Sequence, residues 1–288
     1  MIQSRDTGIA DHRWPPDRVT IMPATFPSHA AAVLPLKLWR PDRFDGVALV
    51  IGAAAPDLPY ALGDCRPPYT YGHTWWGVLA SVPATMVAAR LVRRAAPAVA
   101  AHLPGLGPLA ARDYGALGGV RHPWWITAGS ALLGAASHVA WDHVTHASVP
   151  GTRVGLPGLA REALPGVPMW LPLHLASSAA GAVGWLALSA RLGHRRRIAA
   201  WHGSAPAVPR RPVLFWGTAA ATGAAGTAAA VLAPATRERI VPFLPPVPRP
   251  AVLSARMLGV AAASLLVAAA AHRVSSRSRR RGRRPTAF

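Results

Sequence analysis

Residues 123–146 read PWWITAGSALLGAASHVAWDHVTH. From Pro123 to Val144 the stretch is apolar enough, and long enough, to cross about 30 Å of hydrocarbon as one helix. Its far end nonetheless carries His138, Asp142, His143 and His146. Ionisable groups are costly inside a membrane, so each needs a reason. His138, Asp142 and His146 are spaced i, i+4, i+8 and drift only about 80° around a helix, so they share a face. His143 points about 100° away from Asp142 and stays out of the set. His138 and Asp142, one turn apart, can hold the same ion. His146 lies about 12 Å along the axis from His138 and joins them only where the helix ends or bends. The plainer reading of the pair is a His–Asp bond that glues two helices.

Outward from this stretch, apolar segments of spanning length recur at about 45–62, 74–92, 171–190, 212–233 and 250–271. With 123–144 they predict an all-α polytopic integral membrane bundle of about six transmembrane helices. Ala, Gly and Ser dominate the last three, which suits close helix packing in lipid. Pro56 and Pro59 interrupt 45–62 and Asp57 sits inside it, so the first span reads as a broken or re-entrant hairpin.

Composition agrees. Of 288 residues, 51% are hydrophobic and 15% charged, against roughly 25% charged in soluble domains. The net charge of +20 first suggests nucleic acid. The arginines, however, cluster in short runs between long apolar stretches and form no recognised nucleic-acid module. One set of connections holds Lys37, Arg40 and Arg43; Arg90, Arg93, Arg94, Arg112 and Arg121; Arg191, Arg195–Arg197, Arg210 and Arg211; and the tail from Arg273. The opposite set holds Arg66, Arg153, Arg161, Arg237, Arg239 and Arg249. Six crossings of the plasma membrane with both termini cytoplasmic put the rich set inside. Arg256, within the last span, snorkels or pairs.

Residues 1–21 are polar and read as a disordered arm or as sequence before a true start at Met22. A single transmembrane domain follows at 22–272, then a basic tail at 273–288 directed at anionic headgroups. Membrane lipids are thus the expected partners. Cys65 is the only cysteine, which excludes an intrachain disulfide or a cysteine-based metal site. His12, His102, His122, His194, His202 and His272 fall in loops, span ends or the tail and receive no role.

Three more residues stand in apolar contexts: Asp57 in APDLPY, His73 in YGHTWWG and His29 in FPSHAAAVLPL. In the six-span arrangement Asp57, His73, His138 and Asp142 lie toward the non-cytoplasmic ends of their helices. His29 joins them if 30–39 and 45–56 form a helical hairpin, whose arms of about 15 Å and about 18 Å bring the ends to one level. Such a set is expected to bind a divalent metal, zinc first among the candidates, with His29, Asp57, His73, His138 and Asp142 as ligands. It supports metal-assisted hydrolysis of an amphiphilic or lipid-linked substrate, with His146 as general base. The alternative is a non-enzymatic carrier, proton or ion pathway, or assembly factor, in which the same residues are structural or line a path.

MPATFPSHAAAVLPL, ALVIGAAAPDLPY, GHTWWG and ASHVAWDHVTH, in that order, resemble the motifs of a bacterial membrane-protein family, domain of unknown function 4184 (DUF4184). The resemblance runs from Met22 to about Trp185, and PMWLPLHLASSAAG resembles its later motif. More distantly, the order of these motifs is similar to inner-membrane metal-dependent hydrolases, which implies ligand roles for His29, Asp57, His73, His138 and Asp142. Those proteins carry PDxDH and GHRGxTHS where this chain has PDLPY and GHTWW, and so have more ligands. His174, in LPLHLASS, stands where the family implies a polar residue lining the same pocket.

Overall fold

In a computed structural model of the chain, residues 26–62, 69–105, 107–148, 153–232 and 249–281 are described. The arm 1–21, Met22, Cys65, Arg237, Arg239 and the end of the basic tail lie outside them. The described chain is almost entirely helical. Its helices are α1 (Phe26–Trp39), α2 (Gly46–Gly52), α3 (Trp75–His102), α4 (Trp124–Thr145), α5 (Trp170–His194), α6 (Arg197–His202), α7 (Pro212–Leu232) and α8 (Arg249–Arg281). Short 3-10 turns join them, among them Ala55–Leu62, Tyr69–His73 and Ala111–Gly119. A two-stranded antiparallel hairpin, β1 (Glu162–Leu164) and β2 (Val167–Pro168), precedes α5. It was not expected from the sequence, because strands this short have no alternation to read.

Among the described residues three helices, not six, are long and apolar enough to cross a membrane: Trp75–His102, Trp170–His194 and Val252–Ser276. Between 11% and 22% of their apolar windows is buried. Their large side chains, such as Leu79, Val87, Val183, Leu186, Leu258 and Val267, face outward. A soluble protein buries that surface, whereas a membrane protein offers it to lipid.

The shortfall has local causes. Residues 45–62 are not a span: α2 stops after seven residues, and the stretch with Pro56 and Pro59 tightens into a 3-10 turn. Helices α4 and α7, of 22 and 21 residues, have the length. His138, Asp142 and His143 dilute the hydropathy of α4. Arg90, Arg93 and Arg94 lie not in a connection but within α3, which runs on to His102.

The α1–α2 pair is a short hairpin. Val33, Leu49 and Ala53 form its apolar seam, with Leu36 and Phe44 against it. Asp45 caps α2, its Oδ1 accepting from the N–H groups of Val47 and Ala48 at 3.2 Å each. The same carboxylate accepts from Thr127 Oγ1 of α4 at 2.8 Å and pairs with Arg93 of α3. The N–H of Asp45 donates to Ser130 Oγ at 2.9 Å. The hairpin turn is thereby pinned to α3 and α4. At this level Arg93 and Thr127 meet one carboxylate, while Val78 packs on Ala135 and Val139 further along. Helices α3 and α4 are therefore antiparallel. Their exposed leading pairs, Trp75–Trp76 and Trp124–Trp125, stand at opposite ends of the bundle, where interfacial tryptophans belong.

Helix α2 crosses α4 backbone to backbone. A Cβ on Gly134 would come within 2.4 Å of the Leu49 carbonyl, and one on Gly52 within 2.4 Å of the Ala131 carbonyl. Gly129, on an exposed part of the same α4, has nothing within 4 Å. Gly134→Ala is expected to lower thermal stability in detergent by about 1–3 kcal/mol through overpacking. Gly129→Ala is expected to be neutral or slightly stabilising. Equal unfolding midpoints for the two variants would contradict this packing.

Candidate metal centre

The α2–α4 crossing sets the depth of His138. Its ring is fully buried and its Nδ1 lies 2.7 Å from the Ala53 carbonyl oxygen, just past the end of α2. A carbonyl only accepts, so Nδ1 carries the proton and the Nε2 lone pair points the other way. One turn on, α4 presents Asp142, also buried.

The other two groups come from the 3-10 turns. Ala55–Leu62 carries Asp57, and Tyr69–His73 ends on His73. The turns meet at Gly72, where a Cβ would fall 2.1 Å from the Pro56 carbonyl oxygen. Only a glycine lets His73 come so close to Asp57. Thr74 then caps α3, its Oγ1 accepting from the N–H of Gly77 at 3.0 Å and donating to the Tyr71 carbonyl at 2.8 Å.

Four donor atoms converge. His73 Nε2 lies 3.3 Å from His138 Nε2, 3.3 Å from Asp142 Oδ2 and 3.5 Å from Asp57 Oδ1. His138 Nε2 lies 3.3 Å from Asp142 Oδ2 and 3.4 Å from Asp57 Oδ1. All four lie within 4.8 Å of one another. Four ligands at about 2.0–2.2 Å around a tetrahedral ion stand about 3.3–3.6 Å apart, so the spacing fits zinc. The chemistry of the set fits as well. A lone pair of His138 faces two carboxylates, and only a cation or added protons can make that arrangement favourable. Three of the groups are buried, and the Asp57 side chain alone is open, at 35% exposure.

Asp142 has a second side. Its Oδ1 is buried without a hydrogen-bond partner. It faces His29 Nε2 at 3.6 Å and His146 Nδ1 at 3.7 Å. His29, from α1, stacks on the His138 ring with centroids 3.9 Å apart, and its Nδ1 is also buried without a hydrogen bond. The helix ends at Thr145, so His146 turns back as its C-cap. Thr145 Oγ1 spends its proton on the Trp141 carbonyl at 3.0 Å, so it accepts from His146 Nδ1 at 3.0 Å. His174 of α5 lies against His146, centroids 4.6 Å apart, with Nε2 buried and unbonded.

The structure thus gathers Asp57, His73, His138 and Asp142 at one point. It sets His29 and His146 on the far oxygen of Asp142, with His174 behind them. His143 stands apart, exposed, its Nδ1 3.0 Å from the Arg153 carbonyl oxygen. His102, given no role, is buried with both nitrogens satisfied, by the Ala98 carbonyl at 2.7 Å and the Arg211 N–H at 2.8 Å. Sequence reading missed the Ala53 carbonyl, because backbone acceptors have no signature. It also missed Asp45, whose one available signal was its position just before a helix.

No curated protein and no solved structure matches the chain. The family model described as domain of unknown function (DUF4184) matches residues 22–272, from before α1 into α8. The match takes in every element that supplies a group to the centre, and the chain belongs to that family.

Proposed function

We propose that the protein is a membrane-embedded, metal-dependent hydrolase of an amphiphilic or lipid-linked substrate. The observation that carries this reading is the convergence of Asp57, His73, His138 and Asp142 within 4.8 Å. A proton or ion path needs such groups strung across the bilayer, and helix glue needs only one pair. A divalent ion held there polarises a phosphoryl or carbonyl oxygen and lowers the pKa of water toward neutrality.

The residues divide the work. The buried His73, His138 and Asp142 would hold the ion, the three protein ligands usual for catalytic zinc. Asp57, the open one, would take the proton of the attacking water. His29, whose Nε2 faces the far oxygen of Asp142 at 3.6 Å, would steady that carboxylate from behind. The ground around Asp57 supports an amphiphile: Leu58, Tyr71, Trp75 and Trp76 are exposed beside Asp57 and His73.

In this reading α3, α4, α5, α7 and α8 cross the membrane and α1–α2 is a re-entrant hairpin. The end bearing Lys37, Arg40, Arg43, Arg121 and Arg195–Arg197 faces the cytoplasm, with the tail after α8. The metal centre lies toward the opposite side.

Metal analysis of the detergent-purified protein is expected to find about one zinc or similar ion per chain, lost in His138→Ala. Asp57→Asn is expected to keep the ion yet lose at least about a hundredfold in hydrolysis of a lipid phosphate or ester panel. Wild type without stoichiometric metal would sink the reading.

Orientation has its own test. In a Cys65→Ser background, a membrane-impermeant maleimide is expected to label Leu164→Cys, in the hairpin before α5, in intact cells. Ser204→Cys in the same background should react only after permeabilisation. The reverse pattern would invert the topology.

A further inference from the structure

The opposite end of the bundle holds a cavity of about 380 Å³ between α3 and the start of α4. It takes no part in the metal centre. Along α4, Thr127 in its wall is 11 to 15 residues from His138 and Asp142, or about 17–22 Å. Such a volume suits a headgroup or a small ligand.

Its walls are cationic. Arg90, Arg93 and Arg94 come from α3, and Arg121, His122 and Trp124 from the entry to α4. The one carboxylate bonded to this group, Asp45, is already engaged by Arg93, Thr127 and the first N–H groups of α2. Arg93 still has its Nε buried with no partner. Arg90 and Arg94 have no carboxylate partner among the described residues. Burial pushes the His122 imidazole below its ordinary pKa, so near neutral pH the four guanidiniums carry the charge.

The backbone points the same way. Helix α4 starts at this wall after Pro123, and no side chain caps it. A 22-residue helix directs its free N–H groups and positive end here. Arg90, Arg94 and Arg121 are exposed at the mouth and Arg93 is half-buried deeper in, and a cationic cluster this poor in acids suits a planar or tetrahedral oxyanion. Trp124, 68% exposed, stands at its rim, where an interfacial tryptophan meets acyl chains.

We propose that this cavity binds a phosphate group, presented by an anionic phospholipid headgroup at the arginine-rich face of the bundle. Basic pockets between membrane helices recognise lipid phosphates in this way. The site is distinct from the basic tail, a run of arginines that would attract an anionic surface by charge alone. A lipid seated there bridges α3 and α4 at the level of the α1–α2 turn.

The test uses the full chain, purified in detergent and delipidated, with thermal unfolding followed during titration. The probes are short-chain phosphatidylglycerol, phosphatidylcholine of the same chain length and inorganic phosphate. Phosphatidylglycerol is expected to raise the midpoint saturably and phosphatidylcholine to leave it unchanged. Arg90→Gln with Arg121→Gln is expected to weaken the apparent affinity roughly tenfold or more. Arg43→Gln, which removes one charge from the exposed α1–α2 turn, is expected to leave it unchanged. Ligand-free midpoints show whether each variant folds, and Arg90→Gln alone replaces the double variant if that does not. Saturable stabilisation by inorganic phosphate, lost in the same variants, supports the phosphate site and assigns its source to solution. Equal response to phosphatidylcholine, or equal phosphatidylglycerol affinity in wild type and variants, overturns the proposal.

Discussion

Where α2 crosses α4, carbonyl oxygens of each helix occupy the space that a side chain on the other would fill. Gly52 and Gly134 make that approach possible, and in an apolar medium such contact is a main source of helix association. The geometry of the centre depends on it. The crossing brings the Ala53 carbonyl against His138 Nδ1 and so fixes both the ring and its tautomer. It ends α2 at the depth where the chain must turn, and the turn delivers Asp57. At the other end the same short helix is capped by Asp45, which engages α3 and α4 together.

The polar regions at the two ends of α2 are opposite in kind. Near Ala53, lone pairs and carboxylates crowd together and call for a positive charge. Near Asp45, guanidiniums outnumber acids and call for a negative one. The bundle also shows what a satisfied polar group looks like. His102 is as buried as His29, yet His102 has a partner for each nitrogen whereas His29 Nδ1 has none. That contrast, more than the number of histidines, separates the fully hydrogen-bonded rings from those left with an unpaired nitrogen.

Much of this was legible in the sequence. The helical period put His138 and Asp142 on one face, and ionisable residues in apolar text marked Asp57 and His73. Helices α4, α5 and α7 begin and end within a few residues of their apolar runs. Other features were hidden for physical reasons. Arginines in a row read as the end of a span, but α3 continues through Arg90–Arg94 because Arg93 finds Asp45 in the fold. Summed hydropathy over 45–62 suggested a crossing, but prolines cut the segment into a half-helix and a tight turn. The pairing of Gly72 with Pro56 depends on two turns that meet only in three dimensions.

The exposed flank of the centre has a kinetic consequence. Leu58 and Trp76 lie outward beside the one ligand that is open. On the proposed reading, an amphiphile reaches Asp57 along the membrane plane. The quantity that saturates such a site is a mole fraction in the bilayer, not a molarity in solution. Adding inert lipid or detergent would then dilute the substrate without changing its bulk concentration, and turnover would fall as if an inhibitor had been added.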